Sequence, residues 1–403
     1  MIVPLNLLSP KPSAPITYAI DAWIPDQEHM TGVQQYSFQL IQAMKQHALE
    51  DWERVVLYTY QPLKGALGDL PQGWEERVLA WKPRRGWMSV RVGWEILRRP
   101  PSVLFVPAQS LPCISPLPKG GYRGVASDSV SSFNQAHRRV AVLTTIHDLA
   151  FARRPDLYDP TVRRRLRCAT KATVKKATKL LVPSEATKKD LVELYKVAQE
   201  RIVVTPLASS ASTLPPSITP PHHSNFFLTI GRLEKKKNIL TLIRAFELFK
   251  SRRGVGDPFE LVLAGSPGFG YQEIKKYIEL SSFKSQIREL GFVPQEEAAT
   301  LMRTATAYVF PSWYEGFGIP NLDAMVACTP LITSDIPAHR EVVGDAGIFV
   351  PPDNPEAWTH AFERIAREPD VRQELIAKGA RRVAEFSWEK TAAKTWDVLR
   401  SLV

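Results

Sequence analysis

Cysteine is scarce in this chain: Cys113, Cys168 and Cys328 are the three among 403 residues. An odd number at wide spacings excludes a disulfide framework, matches no metal-binding motif and fits a reducing cytoplasm best. Long apolar runs are missing too. No stretch approaches the roughly 18 apolar residues that a membrane helix needs, and Met1-Ile2-Val3-Pro4-Leu5-Asn6-Leu7-Leu8 has neither a basic flank nor a long hydrophobic centre, so neither a membrane span nor a signal peptide is expected. There is no Asp-x-Asp pair and no histidine cluster with ligand spacing; His222-His223 stands in a proline-rich stretch and reads as polar filler. Acidic residues are short in the first half alone. Residues 1–210 carry 29 Lys and Arg against 18 Asp and Glu, whereas residues 211–403 carry 23 against 23. The whole formal excess of +11 therefore lies in the first half, which suits an anionic partner. Nucleic acid would satisfy the charge, but no nucleic-acid-binding module is recognisable, so none is expected.

A chain of this length exceeds one comfortable hydrophobic core, and 44% hydrophobic residues is ordinary for a globular protein, so two domains are expected. Apolar runs at 16–20, 55–60, 103–107, 140–146, 180–184 and 202–206 read as strands, with helices at 33–46 and 185–195. Residues 209–223 are Ser, Thr and Pro with little hydrophobic patterning and read as a linker. Alternation then restarts, with strands at 226–230, 260–264, 286–291 and 305–311, helices at 239–250 and 271–281, a strand near Phe349 and helices over most of 355–403. This pattern implies α/β architecture: two Rossmann-like doubly wound halves, each binding at the carboxyl ends of its strands. The polar stretch 117–139 reads as an insertion with no assigned chemistry.

Residues 311–330 read Pro-Ser-Trp-Tyr-Glu-Gly-Phe-Gly-Ile-Pro-Asn-Leu-Asp-Ala-Met-Val-Ala-Cys-Thr-Pro. They follow a buried strand, and Pro320 suits the first turn of a helix. Gly316 and Gly318 let backbone approach a ligand closely, and the helix start offers N–H groups to phosphate oxygens. Glu315 and Asp323 can accept hydrogen bonds from sugar or ribose hydroxyls. Leaving the first strand of the second half, Gly231-Arg232-Leu233-Glu234-Lys235-Lys236-Lys237-Asn238 offers Arg232 to fork phosphate oxygens and Lys237 as a point charge. Lys235 and Lys236 read as solvated surface lysines. Thr144-Thr145-Ile146-His147-Asp148-Leu149 brings an imidazole and a carboxylate to a strand end. Two basic stretches, 81–99 with Trp81, Trp87 and Trp94, and 163–179 with Arg163, Arg164, Arg165, Arg167, Lys171, Lys175, Lys176 and Lys179, suit an anionic membrane interface.

The 311–330 stretch resembles the signature of the retaining GT-B glycosyltransferases of family 4, in which two glutamates seven residues apart flank Gly-Phe-Gly. Here the spacing is kept with Asp323 in the second place, and Cys328 stands where relatives commonly have glycine. Gly32-Val33 resembles the family's Gly-Gly loop, with Thr31 in place of one glycine, and Gly291-Phe292-Val293-Pro294 matches the segment that receives the nucleobase. The resemblance implies a GT-B fold of two Rossmann-like domains facing a central cleft. Residues 1–208 would bind acceptor and residues 224–385 nucleotide sugar, joined by the linker 209–223, with a last helix in 386–403 crossing back to the first domain.

The implied reaction is metal-independent transfer of a hexose with retention, from a nucleotide sugar to a glycan or polyprenyl-linked acceptor, without a further cofactor. Similarity of Thr-Ile-His-Asp-Leu-Ala-Phe, residues 145–151, to polysaccharide mannosyltransferases favours mannose, from a donor such as GDP-mannose or a UDP-sugar. The resemblance makes Glu315, His147, Arg232 and Lys237 catalytic. It makes Gly231, Phe292, Val293, Gly316, Phe317, Gly318, Ile319 and Asp323 donor-binding, and Gly32, Val33 and Asp148 part of an acceptor and phosphate loop. A cytoplasmic enzyme, peripheral on the inner face of the membrane, follows. The rival readings are a GT-B sugar-nucleotide epimerase, which needs no acceptor, and a non-catalytic scaffold that binds nucleotide sugar.

Overall fold

The computed structural model describes residues 12, 14–23, 30–82, 87–108, 140–209, 224–254 and 256–403. Cys113, Arg84, Arg85, the 117–139 stretch, His222-His223 and the linker beyond Ser209 lie outside the described residues.

Two parallel sheets organise the chain. In the first, β1 (Ile16–Asp21), β2 (Glu53–Thr59), β3 (Trp74–Val78), β4 (Val103–Val106), β5 (Ala141–Thr145), β6 (Lys179–Val182) and β7 (Ile202–Val204) lie in the order β3-β2-β1-β4-β5-β6-β7. In the second, β8 (Ser224–Ile230), β9 (Glu260–Ala264), β10 (Ile287–Gly291), β11 (Ala305–Phe310), β12 (Leu331–Ser334) and β13 (Ile348–Val350) lie in the order β10-β9-β8-β11-β12-β13. The central strands are continuous apolar runs because both of their faces are covered: every residue of β4 and of β11 is buried. Register follows from this. Ala19 of β1 pairs with Val56 on one side and Leu104 on the other, and Leu228 of β8 pairs with Val262 and Tyr308.

Each sheet reverses its winding once, between β1 and β4 and between β8 and β11. Loops leaving neighbouring strands at such a point diverge to opposite faces, which opens a crevice at the carboxyl edge. The α/β doubly wound architecture expected from the strand–helix alternation is present in both sheets. Two strands went unread in the sequence: β3, Trp-Glu-Glu-Arg-Val, has three charges in five residues, and β12, Leu-Ile-Thr-Ser, is four residues long.

By compactness the chain divides into one unit of residues 1–145, 172–180 and 392–403, and a second of residues 146–171 and 181–391. In the first, Ala19, Val56, Tyr58, Leu104 and Val106 pack with Leu79, Trp87, Val92 and Ile96. Trp396, on the last helix Trp388–Arg400, sits edge-on to Tyr18 and Trp74 with centroids 5.4 and 6.3 Å away. Arg400 grips the nearly inaccessible Glu53 with two bonds of 2.9 and 2.7 Å, a bidentate charge-assisted contact that compensates burial of the carboxylate. In the second unit Phe227 stacks on Phe362 at 4.3 Å and on Phe259 at 5.2 Å. Each ring so buried contributes about 2 kcal/mol by area.

Trp87, read from the sequence as one of three membrane-facing tryptophans, is a core residue: it is buried and its Nε1 donates to Leu79 O at 2.7 Å. Trp94 is the exposed member of that set, with Arg91 and Arg98 over its ring at 5.1 and 5.4 Å. Among the described residues no helix is long and apolar enough to cross a membrane.

Candidate functional site

At the switch point of the second sheet, the loops after β8 and β11 lie side by side. Asn238 ties them together. Its backbone is left-handed (φ 56°), and its Nδ2 donates to Pro311 O at 3.1 Å and to Pro352 O at 2.6 Å. Trp313 N donates to Lys236 O at 3.0 Å across the same seam.

The loop after β11 is shaped by two glycines with different reasons. Gly316 is packed so closely that an added Cβ would stand 1.8 Å from His147 O. Its own carbonyl accepts from Ser184 Oγ at 2.5 Å and Thr187 Oγ1 at 3.2 Å. Gly318 is needed for conformation: at φ 92° it caps the helix Ile319–Val326, with Pro320 in the first turn. Phe317 between them turns inward, buried, its edge toward Phe386 at 5.8 Å.

This loop holds Glu315 against two lysines. Lys237 Nζ donates to Glu315 Oε1 at 2.8 Å, while Lys236 Nζ stands 3.7 Å from Glu315 Oε2 and 3.4 Å from Asp148 Oδ2. Burial would raise the Glu315 pKa, but Lys236 and Lys237 overcome it and hold the carboxyl down at about 2. For Lys236 burial acts to lower the pKa, and the charges of Glu315 and Asp148 outweigh it, so the ammonium is held well above its usual range. Glu315 and Lys236 are therefore ionised at neutral pH. Lys236, read from the sequence as a solvated surface lysine, is instead 13% exposed and central to the cluster. Nothing in a run of three lysines distinguishes it; only the fold, which points it at Asp148, does.

Other sequence-predicted residues fall as follows. Arg232 is extended toward solvent, 68% exposed, 3.9 Å from Glu234 Oε2. Gly231 opens the same loop. His147 and Asp148 follow β5; Asp148 Oδ1 also accepts from Ala150 N at 3.1 Å. Asp323 Oδ1 accepts from Ser209 Oγ at 2.6 Å, and Ser209 O in turn accepts from Trp388 Nε1 at 3.0 Å. Phe292 is half exposed beside the less exposed Val293. Gly32 and Val33 open the helix Gly32–Met44 of the first unit, where Gln34 Oε1 accepts from Thr31 N at 2.8 Å and Thr31 Oγ1 at 2.9 Å. Threonine at the family's glycine position thus serves as a helix cap.

Sequence reasoning missed two further polar residues. His339, on the helix Pro337–Val343, is inaccessible; its Nδ1 meets Thr333 Oγ1 at 2.8 Å and Ser334 O at 3.1 Å. Burial lowers its pKa to about 4 against the opposing pull of Glu315, so the ring is neutral at physiological pH, and its buried Nε2 finds no partner among the described residues. Asn321, in the first turn after Gly318, likewise buries both amide atoms unpartnered. Among the described residues no group of three or more His, Cys, Asp or Glu side chains could hold a metal ion.

Comparison with known proteins fits this geometry. Residues 72–208 match the glycosyltransferase family 4 model and residues 211–382 the model of glycosyl transferases group 1. The chain is 28% identical over 280 residues to O-antigen chain mannosyltransferase B of Escherichia coli, covering 67% of this chain and 73% of that protein. It is 30% identical over 228 residues to the O-antigen chain mannosyltransferase RfbU of Salmonella typhimurium, covering 56% and 61%, so it spans under two thirds of that relative. Among solved structures, the sucrose-phosphate synthase of Thermosynechococcus elongatus superposes with a TM-score of 0.69 at 17% identity, over 96% of this chain and 99% of that one, and shows the fold alone. Two adjoining family matches and a fold shared nearly end to end place this chain in the family-4 glycosyltransferases of GT-B fold.

Proposed function

We propose that this glycosyltransferase moves a hexose, mannose in the first instance, from a nucleotide sugar such as GDP-mannose to a glycan or polyprenyl-linked acceptor during cell-surface polysaccharide synthesis. The observation that carries the reading is the partly buried cluster of Glu315, Lys237, Lys236 and Asp148 beside the helix start at Gly318. The two O-antigen mannosyltransferase relatives support the sugar and the pathway class.

In this reading the donor lies at the switch point of the second sheet. Arg232, Lys237 and the N–H groups after Gly318 stabilise the departing diphosphate, supplying without a metal the positive charge that departure demands. Glu315, fixed as a carboxylate, accepts hydroxyls of the transferred sugar; Asp323 faces the ribose, and Phe292 and Val293 the base. His147 stands near the sugar. Configuration is retained by front-face attack, in which the leaving phosphate oxygen takes the acceptor proton; the paired-carboxylate scheme of glycosidases has no counterpart here.

Purified protein incubated with GDP-mannose or UDP-sugars and a mannoside acceptor tests this. Wild type forms the α-linked product in the presence of chelator, while Glu315→Gln and Lys237→Met lose roughly a hundredfold or more in turnover. Near-normal turnover in either variant refutes the assignment. Donor conversion without a glycoside product would favour the epimerase reading instead.

The enzyme docks on an anionic membrane through its basic surface. The helix Pro160–Lys176 exposes Arg163, Arg164, Arg165, Arg167, Lys171, Lys175 and Lys176, and Trp94 with its two arginines suits the headgroup level.

A further inference from the structure

The first unit carries a second constellation at the carboxyl edge of its own sheet. Asp21 is the last residue of β1, the strand beside that sheet's switch point, where doubly wound sheets bind ligands. Ala22 N donates to Tyr58 O at 3.0 Å and fixes the chain there. The Asp21 side chain is 8% exposed. Among the described residues its one hydrogen bond comes from Trp23 N, at 3.2 Å to Oδ1, and no cation pairs with it. A carboxylate has about four acceptor positions, so most of its capacity is unspent. Burial alone raises its pKa to about 7, against the small opposing effect of the Trp23 amide. A group so costly to bury and so weakly compensated marks a site rather than a fold contact.

Trp23 follows at once and is 43% exposed. Its ring lies 6.4 Å from that of Trp87, tilted by 30°. Because Trp87 is buried and anchored to Leu79 O, the exposed indole is backed by a fixed ring, so little freedom is lost when a ligand covers it.

We propose that Asp21 and Trp23 form a subsite for the sugar ring of the acceptor: a pyranose lies with its C–H face on the Trp23 indole and donates a hydroxyl to the Asp21 carboxylate. This rests on reading the chain as a glycosyltransferase with a glycan acceptor. A π face attracts the weakly positive C–H surface of a sugar, and the unspent oxygen positions of the Asp21 carboxyl accept hydroxyls, while its ionised form repels phosphate. The occupant is therefore a neutral sugar and not the phosphate of a lipid carrier.

The full chain, without donor, is titrated with the methyl glycosides of mannose, glucose, galactose, rhamnose and N-acetylglucosamine, read by saturation-transfer NMR. At least one binds, Trp23→Ala weakens it about tenfold, and Asp21→Asn weakens it about fivefold, whereas Trp23→Phe keeps most of the affinity. Circular dichroism of each variant separates lost binding from lost fold, and Asp21→Asn remains decisive if Trp23→Ala unfolds. The thermal shift of wild type with GDP-mannose and UDP-sugars is measured alongside. Its absence would undo the donor reading and leave the sugar titration standing. No binding across the panel, or Trp23→Ala and Asp21→Asn variants that fold and bind like wild type, overturns the subsite.

Discussion

Replacing Asp21 by asparagine keeps the shape of a buried side chain and removes its charge. The carboxyl titrates at about 7 in the folded chain, against an ordinary 3.8, because burial disfavours the ion. The group is raised, so its favourable share of stability is fully present below about pH 4, where folded and unfolded chains both hold the proton. That share is lost as pH rises through 7. The interval is roughly three pH units at 1.36 kcal/mol each, so ionisation costs the folded state about 4 kcal/mol above neutrality. Asparagine never ionises. The variant should match wild type near pH 4, exceed it by about 1.5 kcal/mol at pH 5 and by about 4 kcal/mol at pH 8. Hydrogen exchange of the β1 amides reads this locally and does not require the whole chain to unfold in one step. Every other titrating group is common to both proteins and cancels in the difference. A difference that stays constant between pH 5 and 8 would refute the argument, because it would mean that Asp21 is not the group burial acts on.

Two further outcomes follow from the charged groups. Lys236→Met removes the ammonium between Glu315 and Asp148; the Glu315 pKa then rises toward the ordinary range, and the acid limb of the pH–rate profile moves up with it. Turnover falls roughly tenfold or more, and Lys236→Arg recovers most of it; an unchanged acid limb in the methionine variant refutes the role. For the membrane, sedimentation with phosphatidylglycerol vesicles should capture the protein at low salt and release it at high salt. Reversing Arg163 and Arg167 to Glu should weaken capture by more than about tenfold, at about 1 kcal/mol per charge, and capture that ignores both salt and charge reversal contradicts electrostatic docking.

The sheets were legible because a strand covered on both faces must be apolar throughout, and runs such as those of β4, β8 and β11 have little else to be. The motif between Glu315 and Asp323 was legible as loop and helix start because glycine and proline restrict the backbone in known ways. What sequence could not carry was distance. Gly316 reads as room for a ligand, yet the atom it makes room for is His147 O. Phe317 reads as part of a donor loop and packs on Phe386. Lys236 and Lys237 are neighbours of one type, and their different duties arise because a tight turn aims one ammonium at Asp148 and both at Glu315. Asp21 gave no signal at all, because one aspartate at the end of one strand is ordinary until its burial is known.

Charge balance at the second switch point decides how labour is divided among its cations. Glu315 and Asp148 are matched by Lys236 and Lys237, so the cluster is close to neutral before any donor arrives. A diphosphate brings about two further negative charges into a partly buried place, where unmatched charge costs several kcal/mol. The matching must come from groups not already engaged with carboxylates. Arg232, mostly exposed and only loosely paired with Glu234 at 3.9 Å, is the cation most readily turned to a donor, and its planar fork can take two phosphate oxygens at once. The helix start after Gly318 is the other. Lys237 can serve both sides, since its ammonium has three protons and one bond goes to Glu315. In the proposed reading it links the carboxylate that would hold the sugar to the leaving group, so that charge developing on the phosphate would be felt at Glu315 through a single ammonium. Lys236 has no such reach while it is held between two acids, and its part is to keep Glu315 ionised and in place.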